Sequence, residues 1–210
     1  MNGIKILGTG RGVPSKLVTN EDLSKIVDTN DEWITSRTGI THRHHLAEGE
    51  TITDMTVMAA LVPSAACCVQ RDLGLPHDTV CFDLNAACTG FLYALHTMEC
   101  LLNASERKYG LVIGAENLSR ITNWEDRGTC ILLGDGAGAV VVESRPEWPS
   151  ISAILGCHGN DQMLRVPGVE TGMPSLIYME GTKVFKFAVE AVPYCIDQVL
   201  ARTGKTVDDV

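Results

Sequence analysis

The chain has 210 residues, a formal net charge of −9, and is 45% hydrophobic and 20% charged. That is the composition of an ordinary globular protein with length for one or two domains and a sizeable core. The acidic balance argues against nucleic acid as a general partner, no stretch is apolar for long enough to span a bilayer, and the N-terminus lacks the form of a signal peptide, so a cytoplasmic location is expected.

Ile4 to Leu7 predicts a short strand that runs into Gly8-Thr-Gly-Arg-Gly12-Val-Pro14. The G-x-G-x-G spacing and Pro14 do not suit a dinucleotide loop, and a tight turn out of the strand is expected instead. Thr19 to Val27 predicts a short capped helix. A second follows, with Thr29 as candidate N-cap of a Thr29-x-x-Glu32 capping box, running through Trp33 to about Arg37 and ending at Gly39. Trp33 and Arg37 are four apart and share a helix face. An indole beside a guanidinium can stack on a purine and pair with a phosphate. A core Trp beside a solvated Arg fits the same spacing and is preferred on spacing alone.

Thr41 to His45 holds three of the six histidines. Cysteine or carboxylate partners at metal-ligand spacing are missing, so a solvated strand or loop is expected and no metal is assigned. Thr51 to Ala60 predicts a helix. At Ala60-Leu-Val-Pro63 that helix runs into a new helix start, Pro63 to Gln70, with no turn or strand between.

Val80 to Leu84 predicts a short buried strand, and Cys88 to Leu102 a buried helix, with Phe91, Leu92, Leu95, Met98 and Leu102 at helical spacing. Asn85-Ala-Ala87 joins them. Cys88 therefore stands in the first turn of a helix, flanked by residues too small to cover it. Unpaired N–H groups and the positive end of the helix dipole favour a thiolate there, the form that attacks acyl groups. The other seven cysteines, residues 67, 68, 81, 100, 130, 157 and 195, read as small buried hydrophobes with reduced thiols.

Tyr109 to Ala115 predicts a strand, residues 122–128 a polar loop and Thr129 to Leu133 a strand. Gly134-Asp-Gly-Ala-Gly-Ala139 lacks a G-K-[S/T] and reads as a tight turn before another strand, Val140 to Glu143. Arg145 to Pro149 is a connector, placing a first half at 1–148 and the start of a second at 149–210. Ile151 to Gly156 is strand-like, 159–176 is loop, and Val184 to Thr203 predicts an amphipathic helix with a kink at Pro193. The alternation of strands and helices argues for an α/β protein with a largely parallel, buried sheet.

Asn30-Asp-Glu-Trp-Ile-Thr-Ser-Arg-Thr-Gly-Ile40, Asp83-Leu-Asn-Ala-Ala-Cys-Thr-Gly-Phe91, Asp126-Arg-Gly-Thr129, Gly134 to Ala139 and Met179 to Phe187 together resemble the β-ketoacyl-acyl-carrier-protein synthase III family of thiolase-superfamily condensing enzymes. The resemblance covers essentially the whole chain. It implies a thiolase-like layered α-β-α-β-α architecture, of which this chain covers the N-terminal half and the start of the second. It implies acyl transfer from acyl-CoA, with acetyl-CoA the expected donor, to Cys88. Decarboxylative condensation with malonyl-acyl carrier protein then starts fatty acid synthesis. CoA is a substrate, and no cofactor is implied.

By the same resemblance Trp33 and Arg127 sandwich the CoA adenine, Arg37 and Thr29 contact CoA near the nucleotide and phosphates, and Leu118 and Leu133 help line the acyl pocket. The Cys88 N–H becomes one oxyanion-hole donor, and a homodimer is implied. Two alternatives stand beside this reading: another ketosynthase III-like acyltransferase of secondary metabolism, and a non-condensing acyl-CoA or carrier-protein binding fragment. The family's decarboxylation His and Asn match positions beyond Val210. Where the family has a longer helix, a strand and an active-site loop, only Leu61-Val62 remain, and 159–174 is somewhat short. The sequence is therefore expected to be an N-terminal portion with an internal gap, because deleting an interior strand would leave backbone groups unpaired.

Overall fold

A computed structural model describes residues 2–50, 64–167 and 174–210. The helix expected over 51–60 and the junction at residues 60–63 lie outside the described residues.

The centre is a three-stranded sheet of order β1-β5-β4, formed by β1 (Gly3–Gly12), β4 (Tyr109–Asn117) and β5 (Asp135–Arg145). Both pairings are antiparallel, which corrects the expected parallel sheet. Parallel neighbours need a crossover connection, usually a helix. The chain between β4 and β5 holds only a 3₁₀ turn and a four-residue helix. Alternating strand and helix signals do not say which strands pair.

The two glycine-rich segments are strand, not turn. Gly8 to Gly12 lie in β1 opposite Val141 to Ala137 of β5, after a register irregularity between Ile6 and Gly8. Each ladder supplies the extended backbone that glycine alone does not favour.

Helix α4 (Gly90–Asn103) covers one face of this sheet. Leu102 of α4 forms a core with Val112 of β4 and Val140 and Val142 of β5, flanked by Ile4, Phe91, Leu95 and Met98. Two glycines of β4 let the helix come close. A Cβ at Gly110 would run into the Met98 sulfur, and one at Gly114 would stand 3.3 Å from the Phe91 ring.

A second unit packs around Val18, Leu23, Ile34, Cys130 and Ile131, with Trp33 and Trp124 against it. The hairpin of β2 (Lys16–Thr19) and β3 (His42–His45) encloses α1 (Asn20–Ser24) and α2 (Asp31–Thr38). Thr19 caps α1 in a capping box with Asp22. The cap of α2 is Asn30, whose side chain accepts from the Trp33 N–H at 2.8 Å. Thr29 is therefore not the N-cap; Asn30, one residue on, can reach the orphan donor. Gly39, at φ 71°, ends α2.

Other expectations change. Residues 80–86 form no strand, and Val80 and Phe82 are exposed. Asp83 instead accepts from the N–H groups of Ala65 and Ala66, at 2.8 and 2.9 Å, in the first turn of α3 (Ala65–Asp72). A carboxylate is favoured at that helix end. The Ser64 side chain makes no cap bond. Residues 129–133 are not strand either: α5 (Arg127–Cys130) starts at Asp126, which accepts from Gly128 and Thr129, so local capping overrides strand propensity. Residues 151–156 are also irregular, tied to α4 by the Ile151 N–H donating to Glu99 and the Tyr93 hydroxyl donating to Gly156.

The short strand β6 (Leu164–Arg165) lies within the expected loop and pairs with β7 (Tyr178–Met179) just after it. Helix α6 (Gly181–Thr203) continues through Pro193. Its stripe of Phe185, Val192 and Ile196 faces solvent rather than the core. All eight cysteines are free thiols, and Cys67 and Cys157, expected to be buried, are exposed.

Leu23 is fully buried in the second core. Leu23→Ala is expected to destabilise the protein by about 2 to 5 kcal/mol, through lost burial and the cavity left behind. Urea unfolding measures it, and an unchanged midpoint would contradict this packing.

Candidate active site

Cys88 lies in a 3₁₀ turn, Ala87–Thr89, that leads directly into α4. The turn's bonds come from the Thr89 and Gly90 N–H groups to the carbonyls of Ala86 and Ala87, leaving the Cys88 N–H outside that pattern. The thiol is exposed. Ala87, just before it, has φ 47°, which is the sole positive φ of a non-glycine residue among those described. An alanine there is strained, and such strain persists only where neighbours over-determine it. Here Asn85 accepts from the Ala87 N–H at 3.0 Å on one side, and α4, packed on β4, fixes the other.

The second group of expected site residues also comes together. The guanidinium carbons of Arg37 and Arg127 stand 4.4 and 4.7 Å from the Trp33 ring centroid. Arg37 reaches it from one turn along α2, and Arg127 from the start of α5. Arg127 also donates to the Asp28 carbonyl at 3.0 Å. Beside Asp28, the Thr29 hydroxyl is enclosed with no hydrogen-bond partner, although buried polar atoms are normally paired. Trp33 is half-buried, with one part in the core and the rest available. The indole packs against the core and Arg37 is exposed, as the core reading of the Trp33–Arg37 spacing expects.

Leu118 and Leu133 are half-buried, Leu118 next to Ser119 and Leu133 two residues before Asp135. The buried Asp135 carboxylate accepts from the Ser119 N–H (2.9 Å), the Ser119 hydroxyl (2.7 Å) and the Leu46 N–H (2.9 Å). It thereby joins the turn carrying Leu118, the end of β3 and the start of β5. An aspartate between glycines gave no signal of this role, because its partners are distant in sequence.

His45 packs beside it, edge-on to Trp124 at 5.2 Å and with Nε2 3.5 Å from the Leu133 carbonyl. Burial lowers its pKa; the Leu133 carbonyl and Asp135 oppose the shift, and Lys16 and Arg43 add to it. Arg43 and His45 are buried, so β3 is not the solvated segment expected.

Among the hydrogen bonds and ring contacts of the described residues, none joins Cys88 to either group. An open groove of about 380 Å³ lies beside Phe91, one turn beyond Cys88, lined also by Gly10, Gly114, Gly138, Ala139 and Val140. Leu118 and Leu133 do not line it.

Comparison with known proteins bears on this arrangement. A family profile described as 3-oxoacyl-[acyl-carrier-protein (ACP)] synthase III matches residues 82–159, the segment that carries Cys88. The β-ketoacyl-[acyl-carrier-protein] synthase III of Clostridium acetobutylicum is 41% identical over 246 aligned positions, covering 100% of this chain and 75% of that protein. The chain belongs to the β-ketoacyl-[acyl-carrier-protein] synthase III family. The Acholeplasma laidlawii enzyme of the same name is 42% identical, covering 99% of this chain and 74% of that one. The crystal structure of 3-oxoacyl-[acyl-carrier-protein] synthase III from Aquifex aeolicus VF5 superposes with a TM-score of 0.88 at 37% identity, covering 99% of this chain and 74% of that one.

These matches establish the thiolase-like α/β class for this synthase III chain, which spans about three quarters of the length of those relatives. The Clostridium alignment is longer than the 210 residues of this chain, so that relative carries internal residues with no counterpart here. No helix among the described residues is long and apolar enough to cross a membrane.

The depressed pKa of His45 has a stability consequence. Below about pH 6.5, the ordinary value, the unfolded chain binds a proton that the folded His45 resists. This contribution is present above that pH and is lost as pH falls toward the folded value. The stability difference between pH 7.5 and pH 5 is expected to shrink in His45→Gln, measured by urea unfolding at both pH values; an unchanged difference would contradict the assignment.

Proposed function

We propose that this chain performs the acylation chemistry of a β-ketoacyl-[acyl-carrier-protein] synthase III, with Cys88 as nucleophile and CoA thioester as donor. The observation that carries this reading is the exposed thiol on a strained turn at the head of a helix clamped to the sheet. The Cys88 thiolate attacks the thioester carbonyl. The tetrahedral intermediate puts negative charge on oxygen, and a backbone N–H such as that of Cys88 stabilises it. The C–S bond to CoA then breaks, CoA leaves as a thiol after taking a proton, and the acyl group remains on Cys88 as a thioester.

The Trp33–Arg37–Arg127 group supports the choice of donor. A purine that displaces the Arg127 guanidinium from the indole, where it now stacks, and takes its place beneath it gains a stacking surface on one side and a cation on the other. Arg37 supplies charge for a phosphate, and the unpartnered Thr29 hydroxyl has hydrogen-bonding capacity to spare. In the second half-reaction, malonyl-acyl carrier protein loses CO₂ and its carbanion attacks the acyl-enzyme carbonyl, returning the Cys88 thiolate and giving a β-ketoacyl product. No histidine of this chain is assigned to that decarboxylation. We place Leu118 and Leu133 at the acyl end of the site, and the protein in the cytoplasm without a resident cofactor.

We further propose a homodimer. Val80, Phe82 and Leu92 surround the Cys88 turn in sequence and are 65%, 47% and 63% exposed, which is apolar surface suited to a partner subunit. Sedimentation equilibrium is expected to give twice the chain mass, and a monomer at micromolar concentration would remove this assignment.

Labelled acetyl-CoA is expected to place one acyl group on Cys88, seen by peptide mass spectrometry, and none on Cys88→Ser. Addition of malonyl-acyl carrier protein should then discharge the label into a β-ketoacyl product. Labelling that survives in Cys88→Ser would overturn the nucleophile, and label that stays on Cys88 would reduce the function to acyl binding.

A further inference from the structure

We propose that Asn20 and Arg43 are positioning residues for the nucleotide clamp, holding α2 and α5 at the separation that Trp33 and Arg127 require. This rests on the CoA reading of that clamp. Both side chains are buried, at 1% and 6% exposure. Asn20 brackets α2: its amide donates to Asp31 at the first residue (2.8 Å), to Thr35 (3.3 Å) and to the Ile40 carbonyl just past the end (2.7 Å). Its carbonyl oxygen accepts from Arg43 Nη2 at 2.7 Å. The same nitrogen donates to the carbonyl of Ile131, the C-terminal cap of α5, at 3.2 Å, and Nη1 donates to the Val18 carbonyl at 3.3 Å. One side-chain pair therefore ties the helix carrying Trp33 and Arg37 to the helix carrying Arg127.

The arrangement is not what core stability alone favours. No carboxylate forms an ion pair with Arg43 among the described residues, and its Nε has no partner. Burying a guanidinium against carbonyls alone is costly, whereas an apolar side chain fills such a space more cheaply. What the guanidinium adds is direction. Its planar fork sets where the Ile131 carbonyl sits relative to Asn20, and hence the distance between the helices that carry the indole and the Arg127 guanidinium.

The test follows single-turnover acylation of Cys88 by mass, with acetyl-CoA and with acetyl-pantetheine, which lacks the nucleotide. Arg43→Lys and Asn20→Ser are compared with Arg127→Ala and with the Arg43→Lys/Arg127→Ala double variant. In each single variant the acetyl-CoA concentration giving half-maximal rate is expected to rise about tenfold with the saturating rate unchanged, while acetyl-pantetheine is unaffected. The double variant should match Arg127→Ala, because Arg43 acts through Arg127.

Equal losses with both substrates, or additive losses in the double variant, would make the pair a general structural element and overturn the proposal. So would failure of both single variants to unfold cooperatively. If the wild type saturates equally with both substrates and Arg127→Ala changes nothing, it is the CoA reading that fails.

Discussion

The close approach of α4 to the sheet is the constraint on which the rest of the structure depends. Gly110 and Gly114 sit four apart on β4, on the face that Met98 and Phe91 of α4 press against. A side chain at either position would push the helix outward. Because the helix lies low, with Phe91 against Gly114, its N-terminal turn is carried to a fixed place, and the strained Ala87 conformation is held rather than relaxed. The reactivity proposed for Cys88 is thus a product of packing several residues away from it. Asp83 and Asn85 add to this by tying the incoming segment to α3 and to the turn itself.

The second unit works by a different principle. Its apolar core of Val18, Leu23, Ile34, Cys130 and Ile131 is small, and buried polar groups run through it. Asn20, Arg43 and Asp135 each bind backbone from segments far apart in sequence. Directional bonds of this kind locate elements more sharply than apolar contact does. They are concentrated next to the Trp33–Arg127 contact and between the turns carrying Leu118 and Leu133.

Much of this was legible along the chain, and the failures share a cause. Helices α1, α2 and α4 followed from polar cap residues and apolar spacing, which are local properties, although the α2 cap is Asn30 rather than Thr29. The glycine runs at 8–12 and 134–139 read as turns because a glycine's neighbours in sequence do not reveal a facing strand. Residues 129–133 read as a strand from their apolar side chains, yet the Asp126 cap made the first of them helical. Val80 to Leu84 carries a buried-strand pattern without a strand to pair with among the described residues. Arg43 looked solvated amid histidines because nothing local marks which alternate residues of a strand turn inward.

By itself the sequence determined the α/β class, helices α1 to α4 and α6, the small-residue turn before Cys88 and, through its motifs, the family. Those rest on periodicity, capping and residue chemistry that act within a few positions. Only the tertiary structure decided that the sheet is antiparallel here, that Arg127 crosses nearly a hundred residues to reach Trp33, and that Asn20, Arg43 and Asp135 bridge segments far apart in sequence. Such contacts are set by which surfaces exclude water from one another, and that depends on the whole fold rather than on any window of sequence.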